Sequence, residues 1–108
     1  MIKWDKNSSF EDIIKENDIV IFEFGSSSCG ACKSIEYKLT EWLEEEGIKG
    51  YYISVDDNME LAAEMGVFTS PVVMVYTNGS LAVREAGYFG LEKIQERVRR
   101  YKKLLEMS

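Results

Sequence analysis

Ile19-Val20-Ile21-Phe22-Glu23-Phe24-Gly25-Ser26-Ser27-Ser28-Cys29-Gly30-Ala31-Cys32 carries both of the chain's cysteines, and the rest of the sequence is read outward from it. The run at 19–24, β-branched and aromatic except for one acid, reads as a buried strand. Gly25 and the three serines read as a loop, and the residues after the cysteines as the start of a helix. A C-x-x-C pair at such a junction has the spacing of a reversible redox couple.

Composition narrows the alternatives. With 108 residues, 45% hydrophobic and 30% charged, the chain fits one compact domain over 1–108 that removes roughly two thirds of its extended-chain surface from water. Nineteen acidic residues against 13 basic ones leave a formal charge of -6, with no excess positive field to attract a phosphate backbone, so nucleic acid is not expected as a partner. The opening Met1-Ile2-Lys3-Trp4-Asp5-Lys6-Asn7-Ser8-Ser9 lacks the apolar core of a secretion signal, and no later run approaches the ~18 apolar residues of a membrane span. The expectation is a cytoplasmic protein with no membrane contact. In a reducing compartment a lone cysteine pair is catalytic or metal-binding more often than a permanent staple. Histidine is absent and there is no second cysteine pair, so a four-ligand zinc site would need carboxylates or another subunit. No metal and no bound cofactor are therefore expected.

No repeat or linker interrupts the chain. Residues 2–4 read as a short strand, and Ser8 or Ser9 as the cap of a helix running to about Lys15, since a Ser hydroxyl accepts a bond from a free first-turn amide. Beyond the cysteines, Ile35, Leu39, Trp42 and Leu43 recur at helical spacing, and Gly47 supplies a left-handed stop. Tyr51, Ile53 and Val55 alternate as in a strand, and Asp56-Asp57-Asn58 introduces a short helix carrying Leu61, Ala62 and Met65 and ending at Gly66. Val72-Val73-Met74-Val75-Tyr76 is a strand, Asn78-Gly79 a hairpin turn, and Leu81, Val83 and Glu85 continue with strand alternation. A last helix from Leu91 sets Ile94, Val98, Tyr101 and Leu105 on one face. Arg97, Arg99, Arg100, Lys102 and Lys103 fall in its C-terminal half, where the macrodipole favours cations, and read as a solvated helix end.

Parallel and antiparallel strands together, a C-x-x-C pair opening the second main helix and a proline ahead of the hairpin resemble the thioredoxin family over almost the whole chain. The resemblance implies an α/β thioredoxin fold: a mixed central β-sheet in the order βαβαβαββα, flanked by helices. The family's Trp-Cys-Gly-Pro-Cys-Lys corresponds to Ser28-Cys29-Gly30-Ala31-Cys32-Lys33, and its acid in the preceding strand to Glu23. Its proline loop corresponds to Thr69-Ser70-Pro71, its hairpin glycine to Gly79 and its later loop glycine to Gly87.

The function implied is thiol-disulfide exchange on protein disulfides, in cell redox homeostasis. At a helix N-terminus unpaired amides and the positive dipole end stabilise a thiolate, bringing its pKa to about 7 in thioredoxin itself, which makes Cys29 the nucleophile. Cys32, one turn inside the helix, suits the resolving thiol; the alternative is that both are small core hydrophobes or an inert disulfide. Glu23, if buried and unpaired, would have a raised pKa and exchange a proton with Cys32, the role its counterpart implies; otherwise it faces solvent or pairs with a lysine. The resemblance implies a cis Ser70-Pro71 bond packed against the cysteines, whereas an ordinary turn proline is trans. Ser28, Gly30, Ala31, Ser70, Pro71 and Gly87 are the expected substrate-binding residues, with Tyr88 beside Gly87 or, with Phe89, under the last helix.

Six positions depart from the family, among them Glu23 in place of the usual aspartate and Ser70 in place of an apolar residue. Ser28 replaces a tryptophan, Gly25 a second aromatic, Ala31 a proline and Tyr52 a lysine common near the buried acid. The expected partners are disulfide-containing proteins and, as electron donor, a thioredoxin-reductase-type flavoprotein, with the chain a monomer. A dedicated electron shuttle for one enzyme and a non-catalytic binding module on the same fold are the rival readings.

Overall fold

The computed structural model describes residues 1–87 and 89–107. Five strands and four helices alternate as β1 (Ile2–Lys3), α1 (Phe10–Glu16), β2 (Ile19–Gly25), α2 (Gly30–Glu46), β3 (Lys49–Ser54), α3 (Met59–Glu64), β4 (Val72–Thr77), β5 (Ser80–Ala86) and α4 (Glu92–Met107). This is the expected βαβαβαββα order. The sheet runs β1-β3-β2-β4-β5. β1 and β2 each pair with β3 in parallel, while β4 is antiparallel to β2 and β5 to β4.

β2 lies at the centre of the sheet and all seven of its residues are buried, which is why its sequence is apolar without alternation. Its side chains divide between two cores. Ile19 and Ile21 pack with Ile35, Leu39 and Leu43 of α2 and with Ile94 and Val98 of α4. Val20, Phe22 and Phe24 pack on the opposite face with Trp4, Ile53 and Ala62, against which Phe10 and Ile13 of α1 lie. Phe10 and Phe22 have ring centroids 4.4 Å apart, the tightest contact of an aromatic group that includes Trp4, Tyr51 and Tyr76.

Local signals explain most element ends. Ser9 caps α1, its Oγ accepting from the Asp12 amide at 3.2 Å. Gly47, at φ +66°, ends α2 in the left-handed conformation that glycine adopts without steric cost. Asn78 and Gly79 both take positive φ in the β4–β5 turn, as a two-residue hairpin of that chemistry requires.

Three details differ from the sequence reading. β3 starts at Lys49 rather than Tyr51, because parallel pairing with β2 extends back to Val20↔Lys49. In β5 the register shifts opposite Val75 and Tyr76, so that Leu81 pairs with Tyr76 and Val83 with Val75. That irregularity interrupts the alternation: Leu81 is 48% exposed, while Ala82 packs against the core. Finally, α4 continues to Met107 and has no basic residue in its last turn, so its cations lie too far from the helix end for the macrodipole to act on them strongly. Two of them bond elsewhere. Arg97 donates to the Ala82 carbonyl at 3.3 Å, and Lys102 donates to the Glu46 carbonyl at 2.8 Å, closing the C-terminal end of α2.

Candidate active site

Cys29 is the N-cap of α2, in extended conformation at φ -100° and ψ 104°. Cys29 and Cys32 form a disulfide with their Cα atoms 5.3 Å apart, and the Cys32 amide donates to Cys29 Sγ at 3.1 Å. The first sulfur therefore sits among the free amides of the helix start, where negative charge is stabilised. The two cysteines differ in access: Cys29 is half-buried, whereas Cys32 is 0% exposed and belongs to the buried face of α2. An attacking thiol needs solvent access and a resolving thiol does not, so burial separates the roles.

The loop before the pair is cross-tied. The Cys29 amide donates to the Ser26 carbonyl at 3.2 Å, Ser26 and Ser28 hydroxyls lie 3.4 Å apart, and the Ser27 amide donates to Asp56 Oδ2 at 3.4 Å. Facing it, the Ser70-Pro71 bond is cis, and Pro71 is buried at the head of β4. Gly87, at φ +78°, donates its amide to the Pro71 carbonyl at 3.0 Å. Between these loops runs a groove of about 430 Å³ lined by Ser26, Ser28, Cys29, Gly30, Ala31, Thr69, Ser70, Pro71 and Gly87. All six residues expected to contact substrate thus line one groove with Cys29. Tyr88 lies outside the described residues, and Phe89 packs against the core cluster that includes residues of α2 and α4.

Glu23 falls by strand alternation on the face of β2 from which Ile19 and Ile21 pack against α2. It is 0% exposed, and neither carboxylate oxygen has a hydrogen-bond partner among the described residues. The reading in which Glu23 faces solvent or pairs with a lysine therefore does not hold. Burial first, and the nearby Glu36 carboxylate second, push its pKa up to about 8. An ionised carboxylate loses its hydration there and regains no bond, so the neutral acid is favoured. Glu36 was missed from the sequence, although it stands four residues after Cys32 on the same helix, the spacing that places two residues on one face.

Two of the departures from the family fit together. Tyr52 lies beside Glu23 in the β2–β3 register, and its phenol hydroxyl fills the space over Gly25: a Cβ there would run into Tyr52 Oη, with Tyr52 Cζ at 2.9 Å. The small residue on β2 admits the large one on β3. Burial, then the charges of Glu23, Glu36 and Asp56, raise the pKa of Tyr52, so it stays a neutral phenol. A second residue missed from the sequence is Arg84 of β5, whose guanidinium donates to the carbonyls of Met65 at 2.9 Å and Gly66 at 2.8 Å and so holds the start of the proline loop. Nothing in a strand's alternation marks an exposed arginine as a loop clamp. Among the described residues no group of three or more His, Cys, Asp or Glu is placed to hold a metal ion.

Comparison with known proteins agrees with this arrangement. Residues 1–100 match the family model described as Thioredoxin. The thioredoxin-like protein YdfQ of Bacillus subtilis is 28% identical over 91% of this chain and 88% of its own, and the thioredoxin of the same organism is 33% identical over 77% and 82%. Among solved structures, a mutant thioredoxin from Halobacterium salinarum superposes with a TM-score of 0.82 at 22% identity, covering 93% of this chain and 88% of that one.

Proposed function

Because this chain belongs to the thioredoxin family and is accordingly a thiol-disulfide oxidoreductase acting on protein disulfides, we propose that Cys29 is its nucleophile, Cys32 its resolving thiol and Glu23 the group that exchanges a proton with Cys32. The observation that carries this assignment is the asymmetry of the pair, a half-buried sulfur at the start of α2 and a fully buried one on the inner face of that helix, together with a buried, unpartnered carboxyl on β2.

The reaction runs in two exchanges. The Cys29 thiolate attacks one sulfur of the substrate disulfide, forming a mixed disulfide and expelling the other substrate sulfur as a thiolate that takes a proton from water. The Cys32 thiol then gives its proton to the ionised Glu23 carboxylate and attacks Cys29 Sγ. The Cys29–Cys32 bond forms, the mixed disulfide breaks, and the second substrate sulfur leaves. Two electrons pass to the substrate, which leaves as a dithiol. With a pKa of about 8, about one tenth of Glu23 is ionised at pH 7 and able to act as base. The protonated majority suits the reverse exchange, in which an electron donor opens the disulfide and Glu23 returns a proton to Cys32.

Ser28, Gly30, Ala31, Ser70, Pro71 and Gly87 form the substrate contacts in this reading, since they line the groove that exposes Cys29. We further propose that residues 1–108 act as one domain, a monomer in the cytoplasm, recharged by a thioredoxin-reductase-type flavoprotein. The single continuous sheet, the formal charge of -6 and the lone cysteine pair support these readings.

Insulin disulfide reduction with dithiothreitol as electron source tests the assignment. Wild type is expected to accelerate the reaction, Cys29→Ser to abolish the acceleration, and Cys32→Ser to accumulate a mixed disulfide visible by mass. Acceleration that survives in Cys29→Ser would overturn the choice of nucleophile.

A further inference from the structure

The groove around Cys29 is lined largely by small and hydroxyl-bearing residues. Ser26, Ser28, Thr69 and Ser70 contribute hydroxyls to it, and among the described residues it contains no aromatic side chain. Yet interfaces draw most of their affinity from a few buried aromatic or arginine anchors. One large aromatic is carried by the same loop that brings Thr69, Ser70 and Pro71 into the groove. Phe68 directly precedes Thr69 and, at three residues from Pro71, lies at most roughly 10 Å from it along the chain. It is 85% exposed, whereas its neighbour Val67 is 4% exposed and packed into the core. Folding leaves most of the Phe68 surface in water, so core packing does not account for the residue.

The segment that carries it is held firmly. Arg84 grips the carbonyls of Met65 and Gly66 from β5, the Val67 amide donates to the Ala62 carbonyl at 2.8 Å, and the Gly87 amide binds the Pro71 carbonyl at the far end. A side chain presented from a tied backbone loses less conformational freedom on binding than one on a free loop. Polar groove, tied loop and unburied aromatic combine into one recognition device.

We propose that Phe68 is the specificity-determining contact of this enzyme, and that its preferred substrates are protein disulfides with a large apolar side chain close in sequence to the reacting cysteine. The inference deepens the reductase reading and rests on it. The hydroxyl-lined groove accepts the backbone on either side of the disulfide, and the apolar side chain packs against the Phe68 ring and leaves water with it. A small disulfide that reaches Cys29 without touching Phe68 gains nothing from it.

Single-turnover oxidation of pre-reduced protein by three probes tests this. Two are disulfide-linked peptides identical except for Leu or Ser two residues from the cysteine, and the third is cystamine. Wild type is expected to react about tenfold faster with the Leu peptide than with the Ser peptide, equivalent to roughly 1.4 kcal/mol. Phe68→Ser is expected to erase that preference without changing the rates for the Ser peptide and cystamine, and Phe68→Leu to restore most of it. An unchanged preference in Phe68→Ser, or an equal loss on all three probes, would overturn the assignment. Failure of wild type to reduce any probe, cystamine included, would instead overturn the reductase reading, and this inference with it.

Discussion

Replacing Glu23 with glutamine is expected to remove most of the pH dependence of stability of the oxidised protein between pH 6 and pH 9. Glu23 has its pKa raised from 4.5 to about 8 by burial and by Glu36. Between those values the folded state holds a proton that the unfolded state has released. Stability therefore falls as pH rises through this window, by at most about 1.4 kcal/mol per pH unit, and levels off above the folded pKa. Integrated from pH 6 to pH 9, the loss is roughly 2.5 kcal/mol, enough to lower Tm by roughly 10–20 °C in a domain of about 100 residues. Glutamine keeps the shape of the side chain and carries no charge at either pH. Working with the disulfide intact keeps both thiols out of the titration, and burial, the largest cause of the raised Tyr52 pKa, persists when the Glu23 charge is removed. Urea unfolding of wild type and Glu23→Gln at half-unit pH intervals provides the curves. The variant is expected to gain on wild type steadily from pH 6 and to be the more stable of the two by pH 9. Parallel curves across the range would mean that Glu23 does not retain its proton in the folded state, and the proton exchange assigned to it would fail with that result.

Two further perturbations probe the supports of the site. Gly25→Ala places a methyl group against the Tyr52 phenol and is expected to cost about 1–3 kcal/mol by overpacking; in a Tyr52→Ala background the same change is expected to be close to neutral, so a double-mutant cycle with a coupling energy below about 0.5 kcal/mol would show that the two positions are independent. Arg84→Met keeps an apolar stem but loses both bonds to the Met65 and Gly66 carbonyls; for these solvent-exposed bonds a loss of about 1 kcal/mol is expected, with faster hydrogen exchange at the Val67 amide, and unaltered exchange there would mean that Arg84 does not hold the loop.

How far the sequence carries can be judged residue by residue. The order of elements was legible because each has a local cause: the unbroken apolar run of β2, the 3.6-residue recurrence of Ile35, Leu39 and Leu43, the left-handed stop at Gly47 and the Asn78-Gly79 turn. The C-x-x-C pair and the proline loop were legible as motifs, and their resemblance to one family pointed to the groove. Less was visible wherever the outcome depended on a partner strand. The irregularity at Ala82 exposes Leu81 because β5 must follow the register of β4, and β3 begins early because β2 offers it partners. The space over Gly25 is filled from a residue 27 positions away that the parallel register brings alongside.

By itself the sequence determined the chemistry available to this protein: two thiols at the start of a helix, one acid in a buried strand, and the periodicities that place them there. Residue type sets pKa and nucleophilicity, and short-range sterics set helix, strand and turn, so both can be read from neighbours in the chain. Only the tertiary structure decided how that chemistry is divided. It left Cys29 accessible and enclosed Cys32, and it removed Glu23 from water without a hydrogen bond. It also gathered three loops into one groove and left Phe68, on the loop that leads into it, in solvent. Burial and electrostatic environment are sums over atoms distant in sequence, and those sums acquire values only when the sheet and its helices have packed.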